Sequence, residues 1–471
     1  MAGTTALIMA AGEGTRMRSS LPKMMHPVCG RPMVAWPVAA ASEAGADRIA
    51  VIVSPDRDLE GVLPDGVEIV VQPQPDGTGG AIRAASELVA GAGTVVVVPG
   101  DHPLISGPML RELLATHRDA GAAATVMTVE LDDPGAYGRV VRDDAGDVEG
   151  IVETKHPDRV APEVLALHEI STSTFAFDAA ALAEALQRLK DDNEAGEYYL
   201  GDVLPLLRAS GVVVAAYVAA DPAANLGVNH RADLALVATE ACRRICERHM
   251  LAGVTIVDPG ATWIDADVEI AADATIEPGT SLRGRTRVGG GSTVGPHSTL
   301  IDSTLGSGVS VPHSYLVECD VADGCAIGPF AYLRPGAALA EGAKVGSFVE
   351  IKNARIGEGA KVPHLSYLGD AEVGEGSNVG AGTITANYDG FAKSRTKVGQ
   401  RARIGIHSSL VAPVTIGDDA YTGAGAVIRE DVPEGALGVT KGEQRNIEGF
   451  AERKAEAAAE ANQEADEGED R

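Results

Sequence analysis

The sequence predicts two folds in series: an α/β unit with a mainly parallel sheet over residues 1–230, and a left-handed parallel β-helix over residues 252–450. In the first half, short apolar runs rich in β-branched residues alternate with stretches of helical composition. This alternation is typical of strands joined by helical crossovers. Beyond Gly253 the chain becomes rich in glycine, and aliphatic residues recur at every sixth position, which indicates a solenoid of hexapeptide repeats.

The α/β prediction rests on short apolar runs separated by helical stretches. The predicted strands are residues 6–10, 49–53, 67–72, 95–99 and 123–129, and the predicted helices include residues 33–44 and 79–90. Residues 230–250 then carry apolar side chains at helical spacing and contain no glycine or proline. We therefore expect residues 231–251 to form a linker helix between the two folds.

The six-residue period sets the register of the predicted β-helix. The repeating positions are Ile264, Ile270, Ile276, Leu282, Val288, Val294 and Leu300, then Val321, Ile327, Leu333, Leu339, Val345 and Ile351, then Ile356, Val362 and Leu368, and finally Val398, Ile404, Leu410 and Ile416. Each hexapeptide is expected to form one flat face, three faces to close a triangular coil, and the aliphatic side chain to point toward the axis. The irregular segment 385–397 predicts a projecting loop, and the charged segment 451–471 predicts at most a frayed helix that runs into an acidic disordered tail.

Composition excludes several classes of protein. The 67 acidic and 39 basic residues give a net charge of −28, which argues against general attraction to nucleic acid or anionic lipid. Five cysteines without CxxC spacing favour reduced thiols over a disulfide framework or a zinc site. The N-terminus shows no basic segment with a cleavage site, and no run of about 18 apolar residues occurs. These features predict a cytoplasmic protein.

The glycine-rich segment 9–23, MAAGEGTRMRSSLPK, follows the first predicted strand. Its small residues allow the backbone to approach a ligand, and Arg16 and Lys23 add two cations, a combination that suits a triphosphate. A glycine-rich loop alone is more often a simple turn. The order G-x-G-T-R-M followed by a lysine is more specific, and it differs from both the dinucleotide fingerprint and the P-loop.

Further motifs extend this pattern along the chain. The segments GTGGA (77–81), PGDHPL (99–104), YGRVV (137–141), IVETK (151–155), GEYYLGD (196–202) and GVNHR (227–231) resemble those of sugar-1-phosphate nucleotidyltransferases. Together with the hexapeptide repeats, residues 5–450 resemble the bifunctional N-acetylglucosamine-1-phosphate uridylyltransferase/glucosamine-1-phosphate acetyltransferase family. The resemblance implies a Rossmann-like nucleotidyltransferase domain at 1–230 and an acetyltransferase β-helix at 252–450.

The resemblance also implies an activity and its co-substrates. The β-helix would acetylate glucosamine-1-phosphate with acetyl-CoA, and the α/β domain would transfer UMP from UTP to N-acetylglucosamine-1-phosphate. The product, UDP-N-acetylglucosamine, would feed peptidoglycan and other cell-envelope synthesis. Mg²⁺ is the implied metal, and a homotrimer without nucleic-acid or membrane partners is the implied assembly.

Matching motifs carry the family's roles onto the α/β half. Asp101 and Asn229 would hold Mg²⁺, whose preferred ligands are oxygens, and Arg16 and Lys23 would act as catalytic cations on the triphosphate. Read alone, Asp101 could equally be a helix N-cap after a strand. The implied UTP and UDP-sugar contacts, with uracil read at 72, 77 and 78 and the amino sugar at 138 and 153, are Met9, Ala10, Ala11, Gly12, Lys23, Gln72, Gly77, Thr78, Gly100, Gly138, Glu153, Ser171 and Asn229.

The β-helix carries a second set of matching motifs: YLRPG (332–336), EIKNA (350–354), PHLSYLGD (363–370), SNVGAGT (377–383) and NYDG (387–390). The resemblance implies that His364 is the general base, since a neutral imidazole suits proton transfer near pH 7; an isolated histidine is more often a packing residue. The implied contacts to the amino-sugar phosphate are Arg334, Lys352, Tyr367 and Asn378. The implied contacts to acetyl-CoA are Ala381, Asn387, Tyr388, Lys393, Ile406, Ala424 and Lys441.

Several residues depart from the family pattern. Ser171 stands where an asparagine is usual, Gly80 and Pro99 replace larger residues, Ile406 replaces a serine that faces the thioester, and Lys441 replaces an arginine. Three hypotheses follow. The chain is the full bifunctional enzyme, or a nucleotidyltransferase whose β-helix is a trimerising shaft with lost or altered acyl chemistry, or a noncatalytic sugar-nucleotide sensor or scaffold.

Overall fold

The computed structural model describes the chain except for residues 1–2, 57–58, 60, 136, 155, 193–195, 441, 443, 445 and 458–471. The chain forms two compact units, Met1–Val317 and Glu318–Arg471. The first unit contains an α/β part, a long helix and the first repeats. The second unit contains the later repeats.

The α/β part and the long helix contain the following elements. The strands are β1 Thr4–Met9, β2 Pro27–Val28, β3 Arg31–Pro32, β4 Arg48–Val53, β5 Glu68–Val71, β6 Thr94–Pro99, β7 Ala124–Glu130, β8 Arg139–Arg142, β9 Val148–Val152, β10 Glu169–Asp178 and β11 Val214–Val218. The α-helices are α1 Ala35–Glu43, α2 Thr78–Ala84, α3 Ser86–Ala90, α4 Gly107–Asp119, α5 Pro162–Leu165, α6 Ala179–Arg188, α7 Val203–Ala209 and α8 Arg231–Leu251.

The central sheet has the order β11-β7-β10-β6-β1-β4-β5. Along this path only β10 runs antiparallel to its neighbours, so the predicted mainly parallel sheet is confirmed. Alternate residues of β1 enter different cores: Leu7 packs on one face of the sheet and Ile8 on the other, each fully buried. Burial on both faces explains why these strands are continuous apolar runs and not alternating ones.

The predicted helix 79–90 is two helices in the structure. The backbone leaves the helical region at Ala85, where φ is −95° and ψ is 19°, so α2 ends and α3 begins. The side chain of Ala85 is buried in the core at this break. Periodicity alone therefore predicted the helical segment correctly but joined its two parts.

Helix α8 has the bounds predicted for the linker helix. Its first turn is closed by a capping box, in which the His230 side chain accepts from the Asp233 amide and the Asp233 carboxylate accepts from the His230 amide. The first repeats pack on the α/β part: the Ala266 amide donates to the Cys29 carbonyl at 2.9 Å, and Arg31 forms an ion pair with Asp267. These contacts explain why the two compact units divide among the repeats and not at the helix.

The repeats form three parallel sheets in each unit. In the first unit the strands are Thr255–Ile256, Thr275–Ile276, Thr293–Val294 and Ser310–Val311; Trp263–Ile264, Ser281–Arg283, Thr299–Ile301 and Tyr315–Val317; and Glu269–Ile270, Arg287–Val288 and Thr304–Leu305. In the second unit they are Ala326–Ile327, Lys344–Ser347, Lys361–His364, Asn378–Val379, Arg403–Ile404, Tyr421–Thr422 and Leu437–Gly438; Tyr332–Leu333, Glu350–Lys352, Tyr367–Gly369, Ile384–Ala386, Ser409–Val411 and Val427–Ile428; and Asp320–Val321, Ala338–Leu339, Arg355–Ile356, Ala371–Val373, Thr396–Val398 and Val414–Ile416.

The six-residue pattern correctly located the interior of the repeats. All of its aliphatic positions are buried except Ile270, which is half-buried in the first coil. Successive coils stack like residues on like, as where Leu282 lies beside Leu300 in parallel register. The predicted left-handed parallel β-helix is therefore the fold of this region.

Two irregular segments follow the predicted repeats or interrupt them. The projecting loop covers residues 387–395, shorter than the predicted 385–397, because Thr396 already pairs with Ala371 in a neighbouring strand. Residues 450–457 are helical, which agrees with a short helix at the start of the tail, and the remainder at 458–471 lies outside the described residues. Within the part of the chain that the structure describes, no helix has the length and apolarity needed to cross a membrane.

Buried histidines predict that the first unit loses stability in mild acid. Burial lowers the pKa of His26, His102, His117 and His249. An unfolded histidine titrates near pH 6.5, so below that pH the unfolded chain binds protons that the folded chain does not, and the free energy of unfolding falls. Calorimetry between about pH 7 and 5 is expected to show a falling melting temperature.

A single substitution isolates one of these groups. Nδ1 of His117 forms a hydrogen bond with the Thr125 hydroxyl at 3.0 Å. His117→Gln is expected to keep that bond and reduce the pH dependence, whereas His168→Gln, at an exposed position, should leave it unchanged. Equal pH profiles for wild type and His117→Gln would contradict the assignment.

Candidate functional site

The loop after β1 brings Lys23 against the end of β6. Gly14 has a φ of 67°, and a Cβ there would lie 2.5 Å from the Cβ of Lys23, so glycine is required for both backbone conformation and space. Lys23 is buried, and its Nζ lies 2.6 Å from Oδ2 of Asp101. The predicted triphosphate cation and the predicted metal ligand are thus in direct contact.

The electrostatics of this contact keep Asp101 ionised. Burial alone raises the pKa of Asp101, but the nearby charges of His102 and Lys23 and the Lys23 hydrogen bond outweigh burial, so the pKa lies below its usual range. Burial lowers the pKa of His102. Lys23, whose Nζ contacts the carboxylate directly, is the cation that forms an ion pair with Asp101.

Asn229 joins the same place from the start of α8. The Val228 amide donates to the Asp101 carbonyl at 2.9 Å, which holds the two segments side by side. The Arg16 guanidinium donates to Oδ1 of Asn229 at 2.8 Å. Each of the two predicted metal ligands therefore has its oxygen bound to one of the two predicted phosphate cations.

This donor set fits a hard divalent cation. A carboxylate and an amide oxygen are suitable ligands for Mg²⁺, which keeps several waters and bridges phosphates. The described residues contain no group of three or more histidines, cysteines or acidic residues that could hold a metal ion. A cation at Asp101 and Asn229 would therefore take its other ligands from water and substrate.

Two cavities meet at this edge of the sheet. The first, of about 690 Å³, is lined by the predicted residues Met9, Ala11, Gly12, Lys23, Gln72, Gly77, Thr78 and Asp101. The second, of about 730 Å³, is lined by the predicted residues Met9, Arg16, Thr78, Gly138, Glu153, Ser171 and Asn229. Gln72 and Gly77, which the resemblance assigns to the uracil, line the first cavity, and Gly138, Glu153 and Ser171, which it assigns to the sugar, line the second. Met9 and Thr78 line both cavities, and the assigned roles stay predictions.

Two predicted contacts lie behind the cavity walls. Ala10 is buried, and its amide donates to the Ile52 carbonyl at 2.8 Å. The Gly100 amide donates to the Met9 carbonyl at 2.8 Å, and a Cβ on Gly100 would lie at the same distance from that carbonyl. These residues support the wall through the backbone.

Gln72 is held in one orientation at the first cavity. Its Nε2 donates to Oδ1 of Asp76 at 2.7 Å and to the Gly77 carbonyl at 3.1 Å. A Cβ at Gly80 would lie 1.8 Å from the same Asp76 oxygen, so the absence of a side chain at residue 80 makes room for this carboxylate. The departure at Gly80 thus has a structural counterpart in Asp76, which no motif had indicated.

Ser171 lies on β10 where the strand bulges. Its backbone amide donates to the Gly138 carbonyl at 3.3 Å, and its Oγ accepts from the Ser173 amide at 3.1 Å. The register shifts between Ser171 and Thr174. Sequence reasoning missed Ser173, Glu197, Tyr199 and His102 as cavity residues, although three of them stand inside quoted motifs or next to a predicted residue.

In the second unit, Asp370 lies beside the predicted residues Lys352 and Asn387. Lys352 Nζ lies 4.0 Å from Oδ2 of Asp370, and Asn387 donates to the same oxygen at 2.5 Å. Arg334 is one coil below Lys352 and donates to Glu350 at 2.8 Å. Burial alone raises the pKa of Asp370. Hydrogen bonds from Asn353 and Asn387 and the charges of Lys352 and Lys393 outweigh burial, so the pKa lies below its usual range and the carboxylate is ionised.

Tyr367 and the projecting loop complete this cluster. A Cβ at Gly369 would lie 2.2 Å from the hydroxyl of Tyr367 and 2.9 Å from Nδ2 of Asn387, which places both predicted side chains over this glycine. The loop closes through an antiparallel bridge between Tyr388 and Lys393. Asp370 was not predicted, although it is the last residue of the motif PHLSYLGD, which also contains His364 and Tyr367.

The predicted acetyl-transfer residues form a column along one corner of the coils. The carbonyls of His364, Ala381 and Ile406 accept from the amides of Gly382, His407 and Gly425 at 3.3, 2.7 and 2.8 Å. Ala424 precedes the last of these amides, so the four predicted residues 364, 381, 406 and 424 follow one another coil by coil. This column, defined by those four residues, is called the acyl column below.

Two predicted residues fall elsewhere. Asn378 pairs with Lys361 and Arg403 on a flat face, three residues before Ala381, so its register neighbours are not His364 and Tyr367. Lys441 lies outside the described residues. The roles predicted for both residues stay predictions.

Comparisons with known proteins decide the family. A model described as "MobA-like NTP transferase domain" matches residues 6–200, and one described as "Bacterial transferase hexapeptide (six repeats)" matches residues 395–430. The "Bifunctional protein GlmU" of Kineococcus radiotolerans is 50% identical over 98% of this chain and 94% of that protein. The chain belongs to the GlmU family. Proteins of the same printed name from Streptomyces avermitilis (48% identical, 97% of this chain, 95% of that protein) and Mycobacterium tuberculosis H37Ra (46%, 96% and 92%) agree.

Membership in the GlmU family confirms the predicted enzyme class. The chain is a bifunctional transferase with a nucleotidyltransferase part and a hexapeptide acyltransferase part. The hypothesis of a noncatalytic sensor or scaffold is therefore wrong. The GlmU match covers both halves, so neither the α/β part nor the repeats are an unrelated fusion.

Proposed function

We propose that the α/β part transfers UMP from UTP to N-acetylglucosamine-1-phosphate, releasing pyrophosphate, and that the β-helix forms that sugar phosphate by acetylating glucosamine-1-phosphate with acetyl-CoA. The observation that carries the first reaction is the pair of adjoining cavities, with Lys23 and Asp101 in one and Arg16 and Asn229 in the other. Cavities of this size that share a wall suit two substrates that must be joined. The product would supply cell-envelope synthesis.

The uridylyl transfer needs positioning and charge neutralisation more than covalent help. The sugar phosphate oxygen attacks the α-phosphorus of UTP in line, and the bond to pyrophosphate breaks. Lys23 leaves its hydrogen bond to Asp101, Arg16 leaves its hydrogen bond to Asn229, and both cations then neutralise phosphate oxygens. Gln72, Gly77 and Thr78 hold the base, and Gly138, Glu153 and Ser171 face the sugar.

Asp101 and Asn229 would hold Mg²⁺, which supplies charge neutralisation and orientation of the phosphates when bound. In the described geometry Lys23 and Arg16 occupy the oxygens of these two residues. When substrate binds, the two cations would move from these oxygens to phosphate oxygens and leave Asp101 and Asn229 able to hold the metal. This accounts for two cations and two oxygen ligands lying together at one edge of the sheet.

The acetyl transfer is proposed on the acyl column and the Asp370 cluster. Arg334 and Lys352 bind the sugar phosphate, and His364 accepts the proton from the amine as the nitrogen attacks the thioester carbonyl of acetyl-CoA. The C–S bond breaks and CoA leaves as the thiol after protonation. Asp370 orients Asn387 and Lys352 through its carboxylate.

A second candidate function rests on Ile406. Its side chain is 51% exposed on the acyl column, and an aliphatic group cannot donate a hydrogen bond to a thioester carbonyl. The alternative is a sugar-1-phosphate nucleotidyltransferase whose β-helix serves as a trimerising shaft with lost or altered acyl chemistry. In both versions we propose a cytoplasmic homotrimer with small-molecule substrates, and domains at 1–230, 231–251 and 252–450.

Asp101→Ala is expected to reduce uridylyl transfer by at least about 100-fold, because the substitution removes an ionised oxygen ligand from the phosphate site. Acetyl transfer by the same variant should stay at the wild-type rate and serves as the folding control. Pyrophosphate release and CoA thiol release measure the two reactions separately. Loss of both in Asp101→Ala would argue against separate sites.

His364→Ala is expected to have the converse effect. Removal of a general base lowers the rate by about 10²- to 10⁴-fold, while transfer of UMP to supplied N-acetylglucosamine-1-phosphate should be unchanged. The matched control is His313→Ala, which removes a histidine from a corner of an earlier coil. Acetyl transfer that survives His364→Ala would exclude this histidine as the base.

Ile406→Ser tests the second candidate function. If the acyl column binds acetyl-CoA, a hydroxyl at this position gains one hydrogen bond to the carbonyl, and acetyl transfer should rise by up to about tenfold. Ile384→Ser, at a similarly exposed isoleucine on the neighbouring face, should give no gain. An inactive wild type that Ile406→Ser does not rescue would favour the trimerising shaft.

A further inference from the structure

Ser173 adopts a backbone conformation that L-residues avoid. Its φ is 56°, in the left-handed region, and it lies within the bulge of β10 where the register shifts between Ser171 and Thr174. A residue other than glycine is strained there, and such strain persists mainly where surrounding structure enforces it, often at functional sites. The strand therefore holds a serine at a position where glycine would be easier.

The position of Ser173 gives this strain a direction. Its neighbours Thr172 and Thr174 are buried, whereas Ser173 is exposed and lines both cavities. The five residues shared by the two cavities, which form their common wall, are Met9, Thr78, Ser173, Glu197 and Tyr199. Ser173 thus lies at the boundary between the space assigned to the nucleotide and the space assigned to the sugar.

The polar groups of the common wall differ in what they can offer. The Met9 side chain has no donor, whereas the Thr78 hydroxyl accepts from the Leu200 amide at 2.9 Å and keeps its proton for another acceptor. The backbone amide of Ser173 is used within the turn, where it donates to Oγ of Ser171. The hydroxyl is therefore the group that Ser173 brings to the wall, and a hydroxyl donates to phosphoryl oxygens.

We propose that Ser173 is a substrate-contacting residue whose hydroxyl donates a hydrogen bond to a phosphoryl oxygen at the point where nucleotide and sugar phosphate are joined. This inference rests on the proposed uridylyl transfer, in which the two phosphates meet between the cavities. The contact adds a neutral donor between the cations Lys23 and Arg16. It also accounts for the retention of a strained side chain on β10.

Two substitutions separate the hydroxyl from the strain. Ser173→Ala removes the hydroxyl and keeps the Cβ, whereas Ser173→Gly removes both. Each is expected to lower kcat/KM for uridylyl transfer by about 10- to 100-fold, as for loss of a hydrogen bond to a charged group. Because glycine adopts a positive φ without strain, Ser173→Gly should melt at the same temperature as wild type or higher.

The combination of lower activity with undiminished stability is the result that a merely structural role would not give. Ser86→Ala, at an exposed serine of α3, is the matched control and should change neither quantity. A kcat/KM for Ser173→Ala within about twofold of wild type would overturn the proposal, since a single hydrogen bond to a charged group contributes more than that. So would a loss in Ser173→Gly that Ser173→Ala does not share, because it would assign the effect to the backbone.

Equilibrium binding of UDP-N-acetylglucosamine keeps this test independent of turnover. Calorimetry on the full chain should show weaker binding by Ser173→Ala than by wild type and Ser86→Ala. If wild type binds the product but does not form it from UTP, the proposed function fails while the binding comparison still decides the role of Ser173. Equal affinities of wild type and Ser173→Ala would overturn the proposal in either case.

Discussion

The contact between Lys23 and Asp101 is the interaction on which the α/β site depends. Lys23 is buried and the Asp101 side chain is 24% exposed, so each group neutralises the other, and removing one partner leaves the other charge uncompensated. Two features of the chain support this contact. Gly14 leaves space for Lys23, and the Val228 amide donates to the Asp101 carbonyl, which holds the segment before α8 beside the segment after β6. The same pairing places a cation and a predicted metal ligand together at the carboxyl edge of the sheet, where α/β proteins bind ligands.

The second unit solves the problem of placing charges in a different way. A β-helix stacks residues one coil apart, so a residue's neighbours are set by register and not by loops. Arg334 lies below Lys352, and residues 364, 381 and 406 follow one another along a corner, because the hydrogen bonds of the solenoid repeat. The projecting loop is the exception, and it returns Asn387 to Asp370, where fixed register alone would have left a gap in the cluster.

These two designs explain what could be predicted from sequence. The six-residue period predicted which side chains fill the coils, and motif order predicted that Arg16, Asp101 and Asn229 would meet, because these signals are local or follow from the fold. The pairing of Asp76 with Gln72 could not be predicted, because it depends on an empty space above Gly80 that only the folded chain reveals. Ser173 was missed for a related reason: a serine in a strand reads as ordinary polar spacing, and its φ of 56° has no trace in composition.

The departures from the family pattern are connected through such spaces. Beside the first cavity, the missing side chain at Gly80 leaves room for the carboxylate of Asp76, which accepts a hydrogen bond from Nε2 of Gln72. In the second cavity, Oγ of Ser171 accepts from the Ser173 amide and so supports the turn within β10. In both places a hydrogen bond between nearby residues accompanies the departure from the family pattern. Ile406 differs because its aliphatic side chain is half exposed on the acyl column and carries no hydrogen-bonding group, so its presence requires no compensating polar neighbour.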